Sequence, residues 1–161
     1  MPTPAVLTDG LKLLGSLLGD DSLALNDAGM CSLSHQDGFV TMLIAEPTSE
    51  MLLLSAQLFE LPVGNREAFL SSLLRMNFLG MDTGGAALAI DEEEQHAYLC
   101  HSVPLQRVDA KALVAVIGNF IDTAAGLRGR LLEQGTHPGS SAAAPGAGAS
   151  LPGRNDGWIA G

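Results

Sequence analysis

The chain has 161 residues, with 18 acidic against 8 basic side chains and a formal charge of −10. So few cations exclude extended neutralisation of nucleic-acid phosphates and disfavour adhesion to an anionic bilayer. The length points to one domain, with or without a tail, and an apolar content of 47% is enough to fill a core.

The opening residues MPTPAVLTDGLKLLGSLLG lack a basic n-region, which leads us to expect a cytoplasmic protein. No apolar run approaches the roughly 20 residues that span a bilayer, so no membrane insertion is expected. Cys31 and Cys100 are then expected to be reduced thiols.

Pro4 suits a first helical turn, and Leu7, Leu11, Leu14 and Leu18 follow at helical spacing up to a stop at Gly19. Leu13 and Leu17 widen the stripe, while Gly10 and Gly15 each weaken the helix by about 1 kcal/mol relative to alanine. Turn signals at 26–29 and 35–38 divide the next stretch into strands over about 22–26, 30–34 and 39–46. EMLLLSAQLFEL predicts a long strand over about 51–60, whose unbroken MLLL suggests burial on both faces, with a helix as the alternative.

Asn65 predicts an N-cap for a helix over 66–79, with Phe69, Leu70, Leu73 and Leu74 on one face and Gly80 as its C-cap. A hairpin follows, about 85–90 and 96–103. Asp109 caps a last helix, roughly 110–133, with Leu113, Ile117, Phe120, Ile121, Ala124 and Leu131 inward and Arg128 and Arg130 near its C-terminal dipole. From 135 to 161 the composition becomes Gly, Ala, Pro and Ser, which predicts a disordered tail after a 1–134 domain. Trp158 and Ile159 are its apolar exception. Short turns join most strands, so the fold class is α+β with a mainly antiparallel sheet.

Chemistry-bearing patterns are sparse. Asp91, Glu92, Glu93 and Glu94 are adjacent in a turn and lack the spacing and the glycine of a calcium loop, so a solvated tip is the expected reading. His96 and Cys100 share a strand face, with His101 on the other, but four residues along a strand is about 13 Å, too far for a shared ion. No phosphate-binding loop or nucleophile elbow organises the remaining groups. No catalytic, metal or cofactor residue is therefore assigned, and a small α+β enzyme built on His96, Cys100 or the acidic turn is the weakest of the readings. What stands out is apolar surplus: the helix 66–79 carries Leu70, Leu74, Met76, Phe78 and Leu79 beyond a minimal stripe, which points to contact with another chain, the alternative being a well-packed monomer core.

Four stretches carry a resemblance in combination. LLGSLLGDDSLALNDAGMCSLS reads as helix, strand, Asn-Asp-Ala-Gly turn and strand. EMLLLSAQLFELP reads as a long strand ending in proline. FLSSLLRMNFLGMDTGGAALAID joins a helix to an apolar strand through Gly-Gly, and YLCHSVPLQRVDAKALVAVIGNFIDTAAGLRGRL is a strand and final helix. From about Leu7 to Glu133 the chain resembles the class I chaperones of type III secretion, the family of the Tir chaperone and its Yersinia relatives. The glycine-rich tail has no counterpart in that pattern, and Pro47 interrupts the expected strands, so the family's three early strands can absorb the short one at 22–26.

The resemblance implies a homodimeric fold of about five strands and three helices, in the order α-β-β-β-α-β-β-α. It implies an ATP-independent, cofactor-free cytoplasmic chaperone that wraps the N-terminal segment of a secreted effector in extended form. By position, Leu70, Leu73, Leu74, Asn77, Phe78, Leu88 and Ile90 become dimer-interface candidates. Leu7, Leu11, Leu14, Leu18, Leu23, Leu25, Met42 and Ile44 become effector-binding candidates. A regulatory protein on the same scaffold, holding a transcriptional regulator or its antagonist, is the alternative.

Overall fold

The computed structural model describes residues 4–36, 38–46 and 48–136. The expected tail lies, from 137 onward, outside the described residues, as do Trp158, Ile159 and Pro47. The order is α1 (Ala5–Leu18), β1 (Met30–Ser34), β2 (Val40–Glu46), β3 (Met51–Glu60), α2 (Arg66–Asn77), β4 (Ala87–Asp91), β5 (His96–Pro104) and α3 (Ala110–Thr136). All strand pairs are antiparallel, in the spatial order β1-β2-β3-β5-β4.

Alternation divides the sheet into unlike faces. Cys31, Leu33, Leu43, Leu52, Leu54, Ala56, Leu88, Leu99 and Val103 are buried in one core with Leu7, Leu11 and Leu14 of α1 and Leu113, Ile117, Phe120, Ala124, Leu127 and Leu131 of α3. On the opposite face, Met42, Ile44, Met51, Leu53, Ser55, Tyr98 and Cys100 are only partly buried. β3 alternates strictly between buried and partly buried residues, so its MLLL run is covered on one face. Beyond Gln57 the ladder to β5 slips by a residue, and Phe59 meets Phe69 of α2 edge to face, ring centres 5.3 Å apart.

The two glycines that weaken α1 have a packing reason. A Cβ on Gly10 would come within 2.8 Å of Leu113 Cδ2, and one on Gly15 within 2.4 Å of the Asp20 carbonyl oxygen. The helix gives up propensity so that α3 and its own returning chain can approach.

Several local expectations are corrected. Residues 22–26 form no strand, because Asn26 closes on Met30 and ends any extended pairing there. Asn65 makes no side-chain cap; it sits at φ 54° and precedes the helix in left-handed conformation. Asp109 does cap α3, its Oδ1 accepting from Ala112 N at 2.7 Å. α2 ends at Asn77, followed by a 3-10 turn, Phe78–Gly80. Arg128 and Arg130 lie short of the α3 terminus: Arg128 stands over the Phe39 ring and Arg130 pairs with Asp82 at 3.3 Å.

By length and composition alone, Ala110–Leu131 could cross a membrane, with a hydropathy of 1.4. Its Leu113–Leu131 stripe is instead part of the core.

Candidate partner-binding surfaces

An edge strand offers unpaired N–H and C=O groups to any extended chain, so the two sheet edges come first. On β1, the bonds Ala45 N to Gly29 O (2.8 Å) and His35 N to Phe39 O (3.0 Å) set the alternation with β2. Cys31 and Leu33 therefore pair inward, and Met30, Ser32 and Ser34 point their backbone groups outward. Met30 is already taken: its N–H donates to Asn26 Oδ1 (2.9 Å) and its carbonyl accepts from Asn26 N (2.8 Å). The open edge is thus Ser32 to Ser34.

The β4 edge is closed in the same way at Leu88 and at Ala86 just before the strand. Asn77 donates from Nδ2 to the Leu88 carbonyl (3.0 Å) and accepts the Leu88 N–H on Oδ1 (2.7 Å). Next along, the Ala86 N–H donates to the Thr83 carbonyl (3.1 Å) and the Thr83 hydroxyl donates to the Ala86 carbonyl (2.5 Å). One amide side chain thus stands in for a partner strand. Asn77→Ala is expected to cost about 1–3 kcal/mol by stranding both Leu88 groups. Urea unfolding monitored by circular dichroism reads this, and an unchanged midpoint would show that the bridge is dispensable.

Beside this closed edge lies the second surface. Leu74 is 70% exposed, Phe78 73%, Leu79 76% and Met81 84%, and Ile90 of β4 is also exposed. Leu79 holds a left-handed backbone (φ 57°), unfavourable for a side chain bearing a Cβ, and projects into solvent. Large apolar groups clustered in this way mark a contact surface.

The interface candidates therefore separate. Leu74, Phe78 and Ile90 are at the surface, Leu70 is half-buried, Leu73 and Leu88 are core, and Asn77 is engaged on Leu88. The effector-binding candidates separate too. Leu7, Leu11 and Leu14 are buried in the core, because α1 turns that stripe to the sheet and α3. Leu18 is exposed, Leu23 and Leu25 are partly buried, and Met42 and Ile44 sit on the uncovered sheet face. Leu79, counted in the sequence among the apolar surplus of the 66–79 helix, is exposed, whereas Met76 is partly buried against the core. Sequence reasoning did not single out Met81 or the Ser32–Ser34 edge. Met81 carries no periodic signal, and an edge is a property of strand order.

The acidic run is the tip of the β4–β5 hairpin. Asp91 Oδ1 accepts from Glu93 N (2.9 Å) and Glu94 N (3.0 Å), and Tyr98 donates to Glu94 Oε2 (2.5 Å). That bond, with lesser help from burial and nearby carboxylates, pushes the Tyr98 phenol up to about 12. Burial pushes the Cys100 thiol up, against a weak opposing contact with Ser55, and burial with the Asp20 charge pushes Cys31 up. Neither thiol is activated as a nucleophile. His96 and Cys100 share one face and His101 lies on the other, and no group of three His, Cys, Asp or Glu converges among the described residues.

The sequence profile of the Tir chaperone protein (CesT) family matches residues 10–128. The chain belongs to that family. No curated protein sequence matches it closely. The Tir chaperone fold is repeated in solved structures. A chain of the ExsC–ExsE complex has a TM-score of 0.66 at 21% identity, over 80% of this chain and 95% of that one. A chain of the HopA1–SchA chaperone–effector complex has 0.58 at 19%, over 78% and 98%. A chain of the heterodimeric ExoU–SpcU complex from the type III secretion system of Pseudomonas aeruginosa has 0.57 at 18%, over 76% and 95%. At these identities the likeness is one of fold.

Proposed function

We propose that this Tir chaperone family member is a non-catalytic, ATP-independent cytoplasmic chaperone for a type III secreted effector. It holds the effector's N-terminal chaperone-binding segment in extended form. The observation that carries this reading is the open Ser32–Ser34 edge bordering a sheet face whose Met42, Ile44 and Leu53 no described element buries. An extended segment gains backbone hydrogen bonds at that edge without a sequence requirement, and its apolar side chains shelter on the face beside it. Leu18, at the end of α1, is a further apolar contact for the segment. Family membership, and the effector complexes among chains of like fold, support the reading.

The Leu74, Phe78 and Ile90 patch is assigned to a second copy of the chain, about a two-fold axis that makes it self-complementary. Because Asn77 and Thr83 occupy the β4 edge, that contact is made by side chains, leaving each copy's β1 edge for the effector.

Co-purification of the tagged chain from its native cell tests this. A stoichiometric complex with a secreted protein, retained through that protein's N-terminal region, is expected. Capture of a transcriptional regulator or its antagonist instead would replace the effector reading with a regulatory one.

A further inference from the structure

The turn that follows α2 carries a residue unfavourable in both conformation and exposure. Leu79 holds φ 57° and ψ 6°, and its side chain is 76% exposed. A left-handed backbone is disfavoured for any residue with a Cβ, and a leucine in water forgoes burial. Gly80, Gly84 and Gly85 of the same turn are left-handed too, and as glycines they bear no such cost. Glu50, Asn65 and Gln95, the other non-glycine residues at positive φ among the described residues, are polar. Leu79 alone among them joins a strained backbone to an apolar side chain in water. Strain of this kind persists where the surrounding structure fixes it, and it gathers at functional sites.

The surroundings do fix it. The Phe78 N–H donates to the Arg75 carbonyl, and the Gly85 N–H donates to the Gly80 carbonyl (2.9 Å). Arg130 of α3 donates to both Asp82 Oδ1 (3.3 Å) and the Asp82 carbonyl (3.4 Å). Leu79 is thus presented on a braced turn. Leu74, Phe78, Met81 and Ile90 are exposed with it. At roughly 150 Å² for each large apolar side chain, the five offer up to roughly 700 Å², close to the ~800 Å² that each partner of a stable pair buries.

Charge favours a second copy as the occupant. With 18 acidic against 8 basic residues, two copies repel over most of their surface. From 68 to 81 the chain carries Arg75 and no acid, and Asp82 is paired with Arg130. Two copies meet here without opposing carboxylates.

We propose that Leu79 is the prestrained anchor of the contact between two copies of the chain. Folding sets its left-handed backbone, so association gains an apolar side chain that is already ordered. The inference rests on the proposed two-fold contact through Leu74 and Phe78, and it adds a residue that lowers the stability of the single chain in favour of pairing.

The two roles have opposite signs in two measurements. Leu79→Gly is expected to weaken the dimer at least tenfold in sedimentation equilibrium, through loss of a buried leucine. In a chain made monomeric by Leu74→Asp and Phe78→Asp, the same change is expected to raise the urea midpoint, since glycine takes this backbone without strain. Leu79→Asn, whose side chain tolerates the left-handed region, is expected to repeat both results. Val63→Gly removes a fully exposed apolar side chain ahead of α2 and is expected to leave dissociation unchanged. Dissociation unaltered by Leu79→Gly, where the double aspartate change yields monomers, would overturn the anchor and spare the interface. Equal weakening by Val63→Gly, or a midpoint that does not rise in the monomeric chain, would overturn the anchor too. A dimer that survives the double aspartate change removes the interface, and the anchor with it.

Discussion

Replacing both Leu74 and Phe78 with aspartate is expected to turn the proposed dimer into a folded monomer. Each side chain is some seven-tenths exposed in a single chain, so the substitution removes little from the core. Across a two-fold contact every change is doubled, placing four carboxylates in an apolar interface. An uncompensated buried charge costs about 3–5 kcal/mol, so dissociation should strengthen by at least three orders of magnitude. Light scattering at micromolar concentration reads the mass, while circular dichroism and the urea midpoint report the fold. Leu73→Ala, on the inner side of the same helix, should instead lower stability by about 2–5 kcal/mol, because Leu73 is buried in the chain's own core. A dimer that persists through the double substitution removes the α2–β4 patch from the interface.

Ser32→Pro is expected to weaken effector capture more than tenfold while the chain stays folded. The Ser32 N–H faces away from β2, so proline there removes no internal ladder bond, and edge strands accept proline at such positions. What it removes is a donor to an added strand, and its ring obstructs close approach. Losing one backbone bond and crowding its neighbours should weaken binding by at least 1.5 kcal/mol, more than tenfold. Leu33→Pro, one residue on, strikes an inward-pairing position and should damage the fold itself. Effector binding measured by calorimetry on both variants, alongside their unfolding midpoints, separates the two effects. Full affinity in a folded Ser32→Pro chain would move the binding site elsewhere.

The local features of this protein are legible in its sequence. The 3.6-residue spacing in α1 and α3, the turns at Asn26 and His35, and the acidic tip all follow from patterns that depend on near neighbours. The stretch at 22–26 misled because Leu23 and Leu25 alternate as a half-buried strand would. Both do pack against the core, yet Asn26 uses its side chain and backbone together to occupy Met30, and no strand propagates. The candidate sites were harder still. A leucine stripe reads the same whether it faces a groove or the protein's own sheet, so Leu7, Leu11 and Leu14 could not be told from surface residues by spacing. Nor can a sequence say that Asn77 lies alongside Leu88, because that contact depends on how α2 meets the last strand of the sheet. Membership of the Tir chaperone family accounts for the fold, and the hydrogen bonds of Asn26, Asn77 and Thr83 decide which stretches of the two edges stay open.

The most direct measurement is amide hydrogen exchange on the co-purified complex and on the chain stripped of its partner. The Ser32 and Ser34 amides should exchange quickly in the free chain and become strongly protected when the partner is bound, with Leu88 slow in both states. Unchanged exchange at Ser32 and Ser34, with new protection confined to other elements, would contradict strand addition at β1.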